Sequence, residues 1–264
     1  MSRVETLARL KQKIRSGELV LGMQHSSGSA AVVELLGLTG WDFVIVDMEH
    51  VSLTISRVEE LVRAAEAVEL PAFVRVIRND AKLIMQALDA GAVGVLVPHV
   101  VDAGSCRDAV AAARYPPEGT RGKSASSRVA GWGSAEWREY ERWAQTEPLL
   151  IPIVEDPEAV TLIEEIAAVP GLELIALGPG DLSAAYGEPA LGIRSPQVSA
   201  ALDRLVAACS PRGIAVMTIP TPELDATLVA ELHRRGATVS WYGGDLNHLA
   251  RLLRTLREDA VGTT

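Results

Sequence analysis

Short apolar runs of strand length recur along the chain, and stretches with the apolar spacing of amphipathic helices separate them. Eight such runs occupy residues 20–24, 43–47, 72–76, 93–98, 149–155, 172–178, 214–218 and 237–241. Strands that alternate with helices favour a parallel sheet, and eight such units in 264 residues fit a closed barrel better than an open sheet. No GxGxxG follows the first strand. We therefore predict an α/β fold, a single-domain (β/α)8 TIM barrel over residues 1–264.

Three helices are marked by their apolar spacing or by their first residues. Residues 54–68 place on one side Val58, Leu61, Val62 and Ala65. Residues 157–168 open with Pro157 directly after Asp156. The last helix, 245–259, has a broad apolar face of Leu246, Leu249, Leu252, Leu253 and Leu256. Periodicity alone leaves open whether this face closes its own barrel or is swapped onto a second copy.

One long connection, residues 115–140, is rich in Gly, Ser and Arg. Long loops in compact barrels commonly cover a binding site or contact a partner. We predict that this segment is a loop at the mouth of the barrel, the end where the strands finish, or that it forms an interface.

Composition narrows the class of partner. The formal charge is −9 without a basic run, so a polyanion such as nucleic acid or an anionic membrane surface is not an expected partner. The N-terminus is charged, and the most apolar stretch, 91–101, is too short to span a bilayer, so we expect a soluble cytoplasmic protein. Cys106 and Cys209 lack the spacing of a metal ligand pair, and we predict two buried thiols.

Polar side chains follow most of the predicted strands at the point where each strand ends. In chain order they are Gln24, His25, Asp47, Glu49, His50, Arg75, His99, Glu155 and Asp181. Because the carboxyl ends of barrel strands carry the active sites of this fold, we expect these side chains to share one rim.

Two of the acids, Glu155 and Asp181, lie at adjacent strand ends with few basic residues beside them in the sequence. Taken singly, Asp181 could cap the helix that it opens, and Glu155 could pair with an arginine. Taken together they predict an open site for a hard divalent cation such as Mg²⁺ or Mn²⁺, which prefers carboxylate oxygens.

Arg75 and His50 suggest roles around such a cation. Arg75 interrupts an apolar strand, where a guanidinium needs an anionic partner; a structural ion pair is one explanation, and stabilisation of a carboxylate or enolate oxygen is the one we favour. His50 stands beside carboxylates that would fix its tautomer, as a general base near neutral pH requires.

Four segments carry a resemblance to a known family. They are 46-VDMEH-50, 73-FVRV-76, 113-ARYPPEGTRG-122 and 178-GPGDLS-183. Together they resemble the HpcH/HpaI class II aldolases, metal-dependent pyruvate aldolases on a barrel of the phosphoenolpyruvate/pyruvate type. The resemblance covers nearly the whole chain.

The resemblance implies a role for each matching position. Glu155 and Asp181 would bind the divalent cation (Mg²⁺, Mn²⁺ or Co²⁺), with Asp47 and Glu49 around it through bound water. His50 matches the base and Asp89 the acid of its dyad, while Arg75 matches the residue that steadies the keto or enolate oxygen. The substrate carboxylate would lie against the backbone of Gly178, Pro179, Gly180 and Asp181. The resemblance also implies a hexamer in which helix 245–259 packs across a neighbouring barrel.

Several departures from the family pattern concern the second substrate. Met48 replaces a glycine, Ile153 a glutamine, Gln24 an aromatic residue and His99 an apolar one. We assign His99 and Gln24 to substrate binding. With His99 at this position the chain resembles relatives that use oxaloacetate, and Gln24 favours the same interpretation.

The sequence thus predicts an aldolase that cleaves or forms 4-hydroxy-2-oxo acids through a pyruvate enolate, with pyruvate or oxaloacetate and an aldehyde or second oxo acid as substrates. The alternative is an oxaloacetate decarboxylase or a condensing enzyme of the citrate synthase type. A non-catalytic ligand-binding barrel is the remaining hypothesis.

Overall fold

The computed structural model describes residues 2–133 and 137–262, and its strands form one closed barrel. The strands are β1 (Val20–His25), β2 (Phe43–Asp47), β3 (Ala72–Arg75), β4 (Gly94–Val97), β5 (Leu149–Val154), β6 (Leu174–Leu177), β7 (Ala215–Thr218) and β8 (Val239–Gly244). Each pairs in parallel with the next, and β8 pairs with β1. The predicted (β/α)8 barrel is confirmed, and every predicted run overlaps a strand.

Helices surround the barrel. They are α1 (Arg3–Arg15), α2 (Ala30–Leu38), α3 (Ile55–Ala67), α4 (Ala81–Asp89), α5 (Ala103–Ala113), α6 (Trp137–Thr146), α7 (Pro157–Thr161), α8 (Ile163–Ala167), α9 (Pro179–Ala185), α10 (Pro196–Cys209), α11 (Ala226–Arg234) and α12 (Asp245–Val261). Across residues 2–133 and 137–262, we find no helix that combines the length and the apolar character needed to cross a membrane.

The barrel interior is filled by large apolar side chains from alternate strand positions. They are Val20, Phe43, Ile45, Phe73, Leu96, Leu149, Ile151, Ile153, Leu174, Ala176, Met217, Val239 and Trp241. Leu7, Leu10 and Ile14 of α1 belong to the same cluster and close the amino-terminal end. Gly22 is required by this packing, because a Cβ there would lie 2.0 Å from the Phe43 ring.

The predicted helix at 54–68 is confirmed as α3, and Thr54 caps it by accepting a hydrogen bond from the Arg57 amide. The single helix predicted at 157–168 is wrong in one respect. It is divided into α7 and α8 at Leu162, whose φ of −115° lies outside the helical region.

Residues 115–133 lie at the amino-terminal end of the barrel. They follow α5, which runs back from the carboxyl end of β4, and they contact α1 through Arg3, whose guanidinium donates to the Val129 carbonyl at 2.6 Å. Arg128 pairs with Glu66 in the last turn of α3. The prediction of a loop over the mouth of the same chain is therefore corrected, because the segment follows a helix and not a strand.

The described part of this segment also contains more regular secondary structure than a loop would. It contains a 3-10 turn at Arg128–Gly133, and α6 begins at Trp137; residues 134–136 lie outside the described part of the chain. The alternative expectation, an interface with another copy, stays a prediction.

Candidate active site

The side chain of Asp47 is the centre of a buried polar network at the mouth. Arg75 on the neighbouring strand donates two hydrogen bonds to it, Nε to Oδ1 at 2.8 Å and Nη2 to Oδ2 at 2.7 Å. Gln24 donates Nε2 to Oδ2 at 2.7 Å. Both charges are buried, and a bidentate pair of this kind is the arrangement that offsets their loss of hydration. The ion pair that the sequence left open for Arg75 is thus present.

Glu49 continues this network toward the solvent. Its amide donates to Asp47 Oδ1 at 3.0 Å, and its Oε2 lies 3.1 Å from Arg75 Nη1. That Oε2 atom is buried and accepts no hydrogen bond of good geometry from the described residues. Burial raises the pKa of Glu49, although Arg75 and then His50 oppose the shift. A buried carboxylate oxygen without a hydrogen-bond donor suits a cation ligand.

Glu155, directly after β5, is 3% exposed. Its Oε1 accepts a hydrogen bond from the His99 amide at 2.9 Å. Burial raises the pKa of its carboxyl to about 7; the His99 amide opposes the shift, and the negative charges of Glu49 and Asp181 add to it. Gly178 must be a glycine here, because a Cβ at that position would lie 2.6 Å from Glu155 Oε2.

His99 adopts a left-handed conformation, with φ of 52°. Its Nδ1 lies 3.0 Å from Asp156 Oδ2. Glu49, His99 and Glu155 each offer one ligand atom within 4.8 Å of the others, so these three residues form a group that could hold a metal ion. The donor set contains carboxylate oxygens and an imidazole, and two of its carboxylates have raised pKa values from burial, which a bound cation would offset.

Glu155→Gln is expected to stabilise the metal-free protein. The folded-state pKa of about 7 lies above the ordinary 4.5, so folding binds a proton between these pH values, and stability falls as the pH rises through this window. The full difference corresponds to about 3 kcal/mol above pH 7. Glutamine keeps the acceptor for the His99 amide and removes the charge.

Unfolding in chelator from pH 4.5 to 8 measures this effect. The wild type should lose stability with rising pH, and Glu155→Gln should lose less. The matched control is Glu158→Gln, the same chemical change at an exposed position. An unchanged pH slope in Glu155→Gln would contradict the assignment.

Asp181 and its neighbours occupy the start of α9. Gly178, and not Asp181, is the N-cap residue, while exposed Asp181 lies in the first turn. The Gly178 amide already donates to the Val154 carbonyl at 3.0 Å. Of the backbone predicted to hold a carboxylate, Pro179 has no amide hydrogen, so only Gly180 and Asp181 retain amides for that role.

His50 and Asp89 do not meet within the chain. His50 is largely exposed, with Nε2 3.7 Å from Glu49 Oε2. Asp89 ends α4, which leads away from the mouth for nine residues, or about 13 Å. There Asp89 accepts a hydrogen bond from Arg121 at 2.6 Å. A dyad within one chain is therefore not formed, because α4 separates the two side chains.

Some residues near the site carried no clear signal in the sequence. Trp241 lies under the mouth, with its ring centroid 4.8 Å from the Arg75 Cζ. Only its interior position on β8 could have indicated this contact. His25, by contrast, is buried on the outer side of β1, and its Nδ1 lies 2.8 Å from Asp245 Oδ2 at the start of α12.

The sequence model of the HpcH/HpaI aldolase/citrate lyase family matches residues 21–251. A pyruvate aldolase of Rhizobium etli is 34% identical over 245 residues, 91% of this chain and 92% of the relative. A solved HpcH/HpaI aldolase/citrate lyase family protein from Burkholderia cenocepacia J2315 superposes with a TM-score of 0.88 and 31% identity, covering 96% of this chain and 99% of that one.

A citrate synthase of solved structure superposes with a TM-score of 0.82 and 28% identity, over 96% of this chain and 98% of that one. The closed barrel with its polar mouth is consistent with the match to the family model and with these similar proteins, and all indicate the same family. The chain belongs to the HpcH/HpaI aldolase/citrate lyase family and is a carbon–carbon lyase of the aldolase type.

Proposed function

We propose that the protein is a divalent-metal-dependent aldolase that cleaves or forms 4-hydroxy-2-oxo acids through the enolate of pyruvate. The observation that carries this proposal is the cluster of Glu49, His99 and Glu155, a group that could hold a metal ion, beside the guanidinium of Arg75. A substrate anion bound here would contact the positive charge of Arg75, and a bound cation would neutralise the neighbouring acids Glu49 and Glu155. The similarity to a pyruvate aldolase supports pyruvate as the product.

Glu155 belongs to this group, and the negative charge of Asp181 acts on it; these two acids are the metal ligands that the family resemblance implies, with Glu49 and Asp47 around them. Mg²⁺, Mn²⁺ and Co²⁺ all suit carboxylate oxygens. When bound, such an ion supplies a Lewis acid for the keto oxygen of the oxo acid.

Arg75 stabilises the negative charge that develops on that oxygen. Two of its nitrogens are fixed by Asp47, so the guanidinium is held in position before the substrate arrives. The Nη1 edge faces Glu49 and the mouth. Gln24 donates a hydrogen bond to Asp47 Oδ2 and so prevents the Asp47 carboxylate from rotating.

His50 moves the proton of the reaction. Its exposed ring can reach a substrate in the mouth, and Glu49 lies 3.7 Å away. The amides of Gly180 and Asp181 are available to the substrate carboxylate at the start of α9. The second substrate, an aldehyde or another oxo acid, then occupies the part of the mouth near His99 and Gln24.

Chelation is expected to abolish activity, and Mn²⁺, Mg²⁺ or Co²⁺ should restore it. The test is a panel of 2-oxo acids and aldehydes, assayed with and without chelator. Glu155→Gln and Asp181→Asn should weaken metal affinity severely, with Glu158→Gln as the control. Full activity in excess chelator, or a lysine adduct trapped by borohydride, would contradict metal dependence. Lys123, which lies within the segment 115–140 predicted as a mouth loop, forms an ion pair with Glu141.

An oxaloacetate-using decarboxylase or condensing enzyme is the second candidate. His99 at the mouth favours it, and a citrate synthase shares the fold over most of the chain. Oxaloacetate consumption compared with aldehyde-dependent release of pyruvate separates the two functions. A barrel that binds ligands without catalysis would be indicated by a metal titration without binding.

The proposed His50–Asp89 dyad forms between two copies of the chain. Asp89 lies in the outer layer with Arg121 and the 115–133 segment, while His50 is exposed at the mouth. The exposed leucines of α12 offer a second contact between copies, consistent with the hexamer that the family resemblance implies.

Mixing two inactive variants tests this arrangement. His50→Ala and Asp89→Ala should each be impaired, and hybrid oligomers formed from both should regain activity, because some sites then combine the intact His50 of one copy with the intact Asp89 of another. Reassociated samples of each variant alone are the controls. No recovery in verified hybrids would contradict a dyad between copies.

A further inference from the structure

We propose that His99 is itself a metal ligand, so that the site combines carboxylate oxygens with one imidazole nitrogen. The proposal rests on the metal-dependent function proposed above and adds a ligand to the two acids that the sequence assigned. It concerns this chain in particular, because His99 stands where the aldolases that the chain resembles typically have an apolar residue.

The distances around His99 suit a shared ion. Nε2 lies 3.9 Å from Glu49 Oε1, and Nδ1 lies 3.9 Å from Glu155 Oε1. Metal bonds to nitrogen and oxygen are about 2.1 Å long, so two ligand atoms on one ion are separated by at most about 4.2 Å. The ligand atoms of the three side chains lie within 4.8 Å of one another, so small side-chain movements, without a change of backbone, would bring them onto one ion.

Asp156 determines which ring nitrogen is available. It lies 3.0 Å from Nδ1, a hydrogen bond that places the imidazole proton on that nitrogen. Nε2 is then left with its lone pair, facing Glu49. A carboxylate that holds the far nitrogen of an imidazole is the usual support of a metal-bound histidine.

The backbone of His99 is held in an uncommon conformation. Its φ of 52° is rarely adopted by residues other than glycine, and such strain is concentrated at functional sites. The hydrogen bond from its amide to Glu155 Oε1 maintains it. The same contact aligns the Glu155 carboxylate, so backbone and side chain of one residue serve the same site.

Glu49 provides an independent indication of a ligand. Its side chain is 9% exposed, and its Oε2 is buried without a hydrogen-bond donor of good geometry among the described residues. That oxygen faces Arg75 Nη1 at 3.1 Å, which leaves Oε1 toward His99. An ion pair of His99 with Asp156 alone does not explain the approach of His99 to Glu49 Oε1, whereas a cation between the three side chains does.

A nitrogen ligand changes which cation is preferred. Mg²⁺ favours oxygen ligands, whereas Mn²⁺, Co²⁺ and Zn²⁺ accept imidazole readily. His99→Leu should therefore weaken Mn²⁺ binding about tenfold or more, the range seen for lost supporting groups at metal sites. Mg²⁺ binding should change less.

Pulsed electron paramagnetic resonance of the Mn²⁺-loaded protein tests the proposal directly. We expect a ¹⁴N coupling in the wild type, its conversion to a ¹⁵N coupling after ¹⁵N-histidine labelling, and its loss in His99→Leu. His50→Gln is the matched control, because His50 is the other exposed imidazole near Glu49, and the coupling should remain. His99→Gln serves if the leucine variant does not fold.

The outcomes separate this proposal from the proposed function. Mn²⁺ bound without nitrogen coupling in the wild type would overturn the assignment of His99 and leave metal dependence intact. A coupling that is lost in His50→Gln and kept in His99→Gln would also overturn it. Absence of any Mn²⁺ binding would overturn both.

Discussion

Arg75→Ala is expected to slow deuterium exchange at the pyruvate methyl group about 10²- to 10³-fold, the loss typical of a removed oxyanion donor. The positive charge that stabilises the enolate oxygen is lost, and because it also contacts the bound oxo acid, pyruvate binding should weaken as well. Initial rates of exchange by nuclear magnetic resonance, at several pyruvate concentrations, separate the two effects.

Folding must be measured alongside, because Arg75 is half of a buried ion pair. Its removal leaves Asp47 with Gln24 and the Glu49 amide as hydrogen-bond donors, and breaking such a pair costs about 3–5 kcal/mol. Arg78→Ala is the matched control: this arginine follows the same strand, but it is exposed and only loosely paired with Asp80. A folded Arg75→Ala protein that exchanges at the wild-type rate would rule out the electrophile role.

His50→Ala is expected to slow the same exchange about 10²- to 10⁴-fold, the usual contribution of a positioned general base. Decarboxylation of oxaloacetate forms the enolate without removing a proton from carbon. The variant should therefore retain proportionally more decarboxylation than exchange. Both rates are to be measured on the same preparation, with His233→Ala as a control far from the mouth.

Equal losses in the two reactions would lead to a different role for His50. It would then hold the substrate or the site in place, and the assignment as general base would be withdrawn. The Asp89→Ala variant should follow the pattern of His50→Ala, because in the proposed dyad Asp89 acts on the substrate only through His50.

The barrel could be predicted from the sequence because most of the strands are apolar over most of their length and are buried on both faces. A run such as Phe43–Asp47 is buried at every position, and its charged end marks the rim. The same rule located Arg75, Glu155 and His99, which the structure brings together at the mouth.

Other features could not be read from the sequence. The composition of 115–140 suggested a mouth loop, although only its place after a helix determines which end of the barrel it occupies. Asp89 matches the acid of a dyad with His50, but the sequence match does not tell whether the same copy of the chain or another copy supplies this acid. The left-handed backbone of His99 accompanies a hydrogen bond to Glu155, which lies far along the chain and could not be paired with it from the sequence.

The final helix, α12, is buried against its own barrel only at its first residue. Of the 17 residues of α12, Asp245 alone has a buried side chain, fixed by His25 and by the Ser26 amide, while the five leucines are about half exposed. A helix without packing is only marginally stable in water. We therefore predict that its amide hydrogens exchange quickly at high dilution and become protected as the concentration rises, because the proposed contact with another copy would cover its leucines.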